Sequence, residues 1–227
     1  MASITSVSFF HFKKNRFWAF KQMGLAPVQF KDTAGLHFFK FLGTGGGSGF
    51  SLWPDFSTYA LLGVWETQEH FETHLKQHPI YKAYTKRAFQ SRHLLLQPIH
   101  SHGKWSGKNP FKTPSKGTRK DSSPLVIITR ATLNWRRLLA FWRAVPHASR
   151  AISKAKGVRF YKGIGEWPFI QQATLSIWEN AAAVHEFAYA TQEHAQIVTQ
   201  TRQQKWYKED LFVRFELLFD QHFNAEG

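Results

Sequence analysis

The chain has no cysteine. That excludes disulfides, thiolate zinc sites, cysteine-held iron–sulfur clusters and a thiolate-ligated haem, and it agrees with a reducing, cytoplasmic setting. Acidic residues are scarce, with 15 Asp+Glu against 30 Lys+Arg and a net charge of +15. An excess of this size points to nucleic acid, an anionic membrane surface or an acidic protein as partner, or simply to a well-solvated basic surface. Long apolar runs are also missing. None approaches the roughly 18 residues of a membrane helix, and the first residues lack the apolar stretch of a secretory leader. Among motifs, H-E-x-x-H, G-x-S-x-G and a 2-His-1-carboxylate spacing are absent. The glycine-rich stretch from Gly43 to Gly49 lacks the last glycine of G-x-G-x-x-G, which is Ser48, and the G-K-[ST] ending of a P-loop. It reads as a hairpin connection.

What is present is a 227-residue chain with 43% hydrophobic residues, 22 Phe and 9 Trp, enough for one large core or two small ones. Strands are expected at residues 7–12, 36–42, 59–65 and 93–97, with a helix at 14–23 stopped by Gly24 and Pro27. A second helix is expected at 66–90, broken near Pro79. The order then recurs, with strands at 125–133, 158–162, 172–178 and 211–219, a helix at 135–143, and a long Ala/Glu/Gln/Lys-rich helix after Glu179.

The recurrence is visible in the residues. Gly35-Leu-His-Phe-Phe-Lys40 matches Gly157-Val-Arg-Phe-Tyr-Lys162, Gly43 falls on Gly165, Phe17-Trp18 on Phe141-Trp142, and Trp65-Glu66 on Trp178-Glu179. Each half reads as strand–helix–strand–strand–helix–strand, a ferredoxin-like unit. A four-stranded sheet leaves one face uncovered, so two such sheets facing each other predict an α+β fold of the dimeric α+β-barrel type. The division is 1–98 for the first unit, 99–124 for a Gly/Ser/Lys-rich linker and 125–227 for the second. The front of the linker differs from the rest, because Trp105 and Phe111 in GKWSGKNPF are aromatics expected to dock. The βαββαβ order also suits RNA-recognition domains, but neither YALLGVWE nor QATLSIWE carries their stacking signature. Nucleic acid is therefore not expected as a partner.

Histidine is the remaining metal-ligating type. His70, His74 and His78 are spaced by four, but Pro79 disfavours helical backbone at His78, and the three are read as surface residues. On the long helix of the second half, Phe187, Thr191, His194 and Val198 share a face, with His185 opposite. His194 is either a ligand or a hydrogen-bonded core histidine.

The segments GLHFFKFLGTG, GKWSGKNPF, TRATL, FWRAVPHASRAI, GIGEWP…QATLSIW and HAQI…KWYKEDLFVRF, in this order, resemble the spheroidene monooxygenase family of carotenoid biosynthesis. The resemblance spans almost the whole chain. It implies a haem b enzyme that uses O₂ and a ferredoxin-type reductant to place a keto group at C-2 of an acyclic carotenoid through two successive hydroxylations. The alternatives it leaves are other haem chemistry on the same scaffold (a dehydratase or peroxidase) or a non-catalytic haem- or carotenoid-binding protein. Chlorite dismutases and aldoxime dehydratases, with the same twin architecture, hold haem through a helix histidine of the C-terminal unit. By that analogy His194 is the iron ligand, with Trp105 and Trp178 in the cofactor pocket. Arg130 and Lys162 are then candidates for an inward-pointing cation that assists oxygen activation, and Glu166 for their partner. A carotenoid resides in a bilayer, so a cytoplasmic protein peripheral to the membrane is expected, with Lys104, Lys108, Lys112, Lys116, Arg119 and Lys120 suited to anionic headgroups.

Overall fold

A computed structural model describes residues 3–47, 51, 53–114, 123–167, 169–190 and 206–224. The first half runs β1 (Ile4–His11), α1 (Arg16–Phe30), β2 (Leu36–Gly45), β3 (Pro54–Trp65), α2 (Gln68–Gln77), α3 (Pro79–Arg87) and β4 (Gln90–Gly103). The second runs β5 (Leu125–Leu133), a 3₁₀ turn (Trp135–Arg137), α4 (Leu138–Ser153), β6 (Val158–Trp167), β7 (Gln171–Trp178), α5 (Ala181–Ala190) and β8 (Tyr207–Asn224).

The eight strands close into one barrel in the order β1-β3-β2-β6-β7-β5-β8-β4, and every neighbouring pair is antiparallel. Each half contributes a sheet in the order of its fourth, first, third and second strands, so the expected α+β barrel is present. The sheets face each other across the interior and also join at both edges. One joint is long, with β4 pairing β8 from Gln90↔Asn224 to Gly103↔Leu211. The other is short, resting on Gly43↔Gly165 and Thr44↔Ile164.

Alternation along the strands sorts the core into three layers. Val7 and Phe9, Phe38 and Leu42, Val126 and Ile128, Leu211 and Val213 point inward and fill the barrel with buried apolar side chains. Outside the first sheet, Phe10, Phe41, Tyr59, Leu61 and Trp65 pack against Phe30 of α1, Phe71 of α2 and Tyr81 and Tyr84 of α3. Outside the second sheet a smaller layer forms from Leu125, Ile127, Trp178, Ile152 of α4 and Val184 of α5.

Three expectations need correction. Helix α1 runs on through Gly24 and Pro27 to Phe30. Pro in a helix interior costs ~3 kcal/mol, but Ala26 and Phe30 beyond Gly24 are fully buried, and burying a side chain such as Phe stabilises by roughly 1.5–3 kcal/mol. Tertiary packing thus outweighs the local stop. Strand β4 extends to Gly103, so residues 100–103 of the presumed linker are ladder-paired to β8. The three spaced histidines are not a solvated row either. His74 stacks on Trp65 at 5.4 Å between ring centres, and His78 caps α3, with Nδ1 accepting from the Ile80 N–H at 3.2 Å.

Candidate active-site cleft

The short β2–β6 joint positions the site. Gly165 faces Gly43 across it, and on its other side admits β7, where a Cβ would lie 2.6 Å from the carbonyl oxygen of Gln171. Beyond their two paired positions the strands diverge, and the gap opens as a cleft of about 160 Å³ between α1 and α4. Its walls are mainly aromatic. Phe20 of α1 meets Phe56 at 6.0 Å between ring centres, and Trp142 of α4 meets Phe169 at 6.1 Å. Polar groups enter from Asp55, Tyr59, Glu166 and Gln172. The Tyr59 hydroxyl is buried and makes no hydrogen bond. A slot with apolar walls and few polar groups is suited to a hydrophobic chain that must be held in one orientation.

At one end of the barrel the 104–112 loop folds over the mouth. Trp105 and Phe111 are buried in the interior core, against Phe38 at 5.7 Å and Phe215 at 5.4 Å respectively. Docking of this loop, expected from its aromatics, is therefore complete. Under it lies a cluster of charges. Arg130 extends inward from β5 with its side chain almost fully buried; its guanidinium contacts Glu209, lies 3.8 Å from Glu166 and sits over the Trp105 ring. Glu166 accepts the Trp105 indole N–H at 2.6 Å and an ammonium proton of Lys40. Glu209 accepts the backbone N–H groups of Ser106 and Gly107 at 3.0 and 2.7 Å. Partial burial raises the Glu209 pKa, but those two N–H groups and Arg130 outweigh it and hold the carboxyl below its usual range. Two cations and two anions balance, and the loop is clamped at both carboxylates.

Three of the sequence candidates, Trp105, Arg130 and Glu166, thus meet in one cluster. Lys162 does not join them. It lies at the other end of the seam, donating to the Gly47 carbonyl at 2.8 Å, with Asp55 at 3.5 Å. Trp178 points to the outside of the second sheet, packs on Phe187 of α5 at 5.1 Å and donates its indole N–H to Ser176 at 2.9 Å. His194 falls at 191–205, outside the described residues. Lys116, Arg119 and Lys120 also lie outside the described residues, at 115–122. His185 is exposed, and Phe187 packs on the sheet, in agreement with the two faces expected of this helix. Lys40 and Glu209 were not foreseen. Lys40 was within reach, since the repeat pairs it with Lys162.

The repeat also exposes a difference between the outer faces of the two sheets. The registers equate Ile4 with Leu125 and Trp65 with Trp178. On that basis the outward Phe10, Phe41, Leu61 and Tyr59 of the first sheet correspond to Ala131, Gly163, Thr174 and Gln172 of the second. Four large side chains are exchanged for smaller ones on one face. Ser8 on β1 is buried, whereas its counterpart Thr129 on β5 is exposed although β5 is an inner strand of its sheet. Thr174 Oγ1 and Arg214 Nε on this face are buried without a hydrogen-bond partner. Buried polar atoms without a partner, beside the small side chains of Ala131 and Gly163, are what a group bound against this face would satisfy. Among the described residues no cluster of three or more His, Asp or Glu could hold a bare metal ion.

The fold is shared with solved structures. An aldoxime dehydratase superposes with TM-score 0.62 at 9% identity, covering 99% of this chain and 85% of that one. A complex of aldoxime dehydratase with butyraldoxime gives 0.61 at 11%, covering 99% and 83%. No protein-family model matches the chain. The sequence is 35% identical to spheroidene monooxygenase of Cereibacter sphaeroides over 221 residues, 96% of this chain and 67% of that protein. It is 31% identical to the protein of the same name from Rhodobacter capsulatus over 217 residues, 95% and 90% of the two chains. With the barrel, the cleft and the clamped loop on one chain aligned over nearly its whole length, the protein belongs to the spheroidene monooxygenase family.

Proposed function

We propose that the protein is a haem-dependent carotenoid monooxygenase that converts the C-2 methylene of an acyclic, spheroidene-type carotenoid to a ketone. Each of two hydroxylations would take one oxygen atom from O₂, release the other as water, and draw two electrons from a ferredoxin-type reductant. The geminal diol then loses water. The observation that carries this reading is 35% and 31% identity, over almost the entire chain, to two spheroidene monooxygenases.

The residues present fit haem. With no cysteine, histidine is the default ligand, and His194 would hold the iron from the segment that follows α5. The outer face of the second sheet, cleared at Ala131, Gly163 and Thr174, would receive the ring, with Trp178 at its margin. Bound haem would supply the activation of O₂. The protein's own contribution is positional. The aromatic cleft would hold the apolar chain and exclude water. Arg130, Glu166 and Trp105 would keep the mouth of the barrel closed. Lys162 would fix the β2–β3 connection through Gly47 and Asp55. Within this reading residues 1–98 serve as scaffold and 125–227 as the cofactor-bearing unit.

The test is an absorption spectrum of haem-replete protein, followed by O₂ uptake with carotenoid and reduced ferredoxin and identification of a keto product. Haem-replete protein without a Soret band would end the haem reading, and a Soret band without O₂ uptake or product would reduce it to binding alone. Within it, His194→Ala should lose or loosen haem while His185→Ala retains it. A normal spectrum in His194→Ala would move the ligand to another histidine.

A further inference from the structure

The helices that border the cleft carry aromatic and aliphatic side chains on their outward faces. On α1, Phe17 and Val28 are 69% and 77% exposed, in addition to Phe20 and Leu25, so the helix is apolar both inside and out, which a purely solvated surface helix is not. Across the cleft, Leu139 of α4 is 77% exposed, with Trp135 just before it. The connecting turns add Trp53 at 74%, with Trp167 and Ile170. The cleft pairs Phe20–Phe56 and Trp142–Phe169 link these segments into one rim.

The charge along α1 and α4 has one sign. Residues 1–31 contain Lys13, Lys14, Arg16, Lys21 and Lys31 and no Asp or Glu. Residues 122–165 likewise contain no acid, while the 3₁₀ turn and α4 carry Arg136, Arg137, Arg143 and Arg150. Cation and ring share the same spots. The Lys21 ammonium is 4.6 Å from the Phe17 ring centre, and the Arg136 guanidinium is 5.3 Å from that of Trp135. By contrast α2 carries Glu69 and Glu72, and α5 carries Glu186.

We propose that this rim is a membrane-docking surface, which seats the protein on an anionic lipid bilayer with the cleft opening toward the acyl chains. Trp and Phe favour the headgroup boundary, Lys and Arg pair with anionic headgroups, and Leu and Val reach the first methylenes. A second copy of the chain is a poor occupant, because a self-complementary contact would bring like-charged helices together. Single-stranded nucleic acid is disfavoured by the exposed Val28, Leu25, Leu139 and Ile170, which offer no stacking surface. The proposal rests on the function above only for the cargo drawn through the cleft. Docking is measured without carotenoid, so the two can fail separately.

The experiment is co-sedimentation of the full-length protein, as isolated, with vesicles of phosphatidylglycerol mixed into phosphatidylcholine and with pure phosphatidylcholine. Brominated lipids report on tryptophan depth. We expect partitioning at least about tenfold stronger on the anionic vesicles, weakened by salt, and quenching of tryptophan emission. Trp53→Ser/Leu139→Ser should reduce partitioning about tenfold without altering charge or melting temperature, and Arg136→Gln/Arg137→Gln/Arg143→Gln should flatten the salt dependence. Leu218→Ser/Phe223→Ser, at exposed apolar sites on β8, should leave it unchanged. Partitioning that depends on the arginines alone would overturn the proposal and assign the face to a soluble acidic partner. A dimer in sedimentation velocity that Trp53→Ser/Leu139→Ser dissociates would overturn it in favour of self-association, as would equal weakening by the β8 variant.

Discussion

The two halves of the barrel share strand order, register and an anchoring tryptophan, yet their outer faces differ. In the first, Phe10, Phe41, Tyr59, Leu61 and Trp65 meet three helices in a continuous aromatic layer. In the second, the matching positions hold Ala131, Gly163, Gln172 and Thr174, and only Trp178 is retained. Interiors differ much less, since both sheets send apolar side chains into one shared core. A duplicated unit can thus keep the layer that both copies need for closure and release the other layer in one copy. The first outer face is packed with large side chains, and the second carries small ones at the matching positions.

The largest effect is expected from a large side chain on the outer face of the second sheet. Gly163→Phe would put back the ring that Phe41 supplies in the first half. Haem incorporation, read as Soret absorbance per protein, should fall by about an order of magnitude or more, equivalent to ~1.4 kcal/mol or above, with the fold intact by circular dichroism. An unchanged Soret band would remove that face from the cofactor site.

The converse substitution tests the filled face. Phe41→Ala should destabilise by ~3–5 kcal/mol in denaturant unfolding, whereas Thr174→Ala should cost under ~1 kcal/mol. Equal losses would mean that the two outer layers are packed alike.

A third difference is titratable. His93 on β4 is buried, with Nδ1 2.8 Å from the Ser8 hydroxyl, and its counterpart on β8 is Phe212. Burial lowers the imidazole pKa from 6.5 to about 4. Between those values the unfolded chain binds the proton and the folded chain does not, so stability falls as pH drops from 6.5 toward 4, by at most ~3 kcal/mol. Unfolding free energies from pH 7 to pH 4 should show this slope, and His93→Gln should flatten it. The lowered Glu209 pKa adds loss in the same direction, below its usual carboxylate range. A slope unchanged in His93→Gln would assign it to the carboxylates.

The smallest effect concerns the mouth. Glu166→Gln retains an acceptor for the Trp105 indole but removes the charge facing Lys40 and Arg130. With Glu166 partly exposed, the loss should be near ~1 kcal/mol. Arg130→Met would strand two carboxylates beside a buried site and should exceed it. Thermal melts of the two variants rank them, and the reverse order would show that Glu166, not Arg130, holds the loop.

Much of this was legible in the residues because it is local or repetitive. The β-branched run LVIITRATL marked residues 125–133 as a strand, and β5 has those limits. The pairing of Gly43 with Gly165, noted as a repeat, is a physical contact between β2 and β6. The Phe41/Gly163 difference was present in the same alignment but carries no meaning until both residues are known to face outward. What failed was governed by distant contacts. Gly24 and Pro27 read as a helix stop because burial of Ala26 and Phe30 depends on the sheet beneath them. The linker start read as a loop because its partner, β8, lies more than a hundred residues away.

The amino-acid sequence by itself determined the duplicated βαββαβ order, the family, the absence of thiolate chemistry and a cationic chain, since each of these depends on residue identity and spacing alone. Tertiary structure decided that Arg130, Glu166, Glu209, Lys40 and Trp105 form one cluster, that Lys162 stands apart from it, and that the outward positions carry large side chains on one sheet and small ones on the other. The reason is strand geometry. A side chain's face follows from register, and register is set only when strands far apart in the chain close into a barrel.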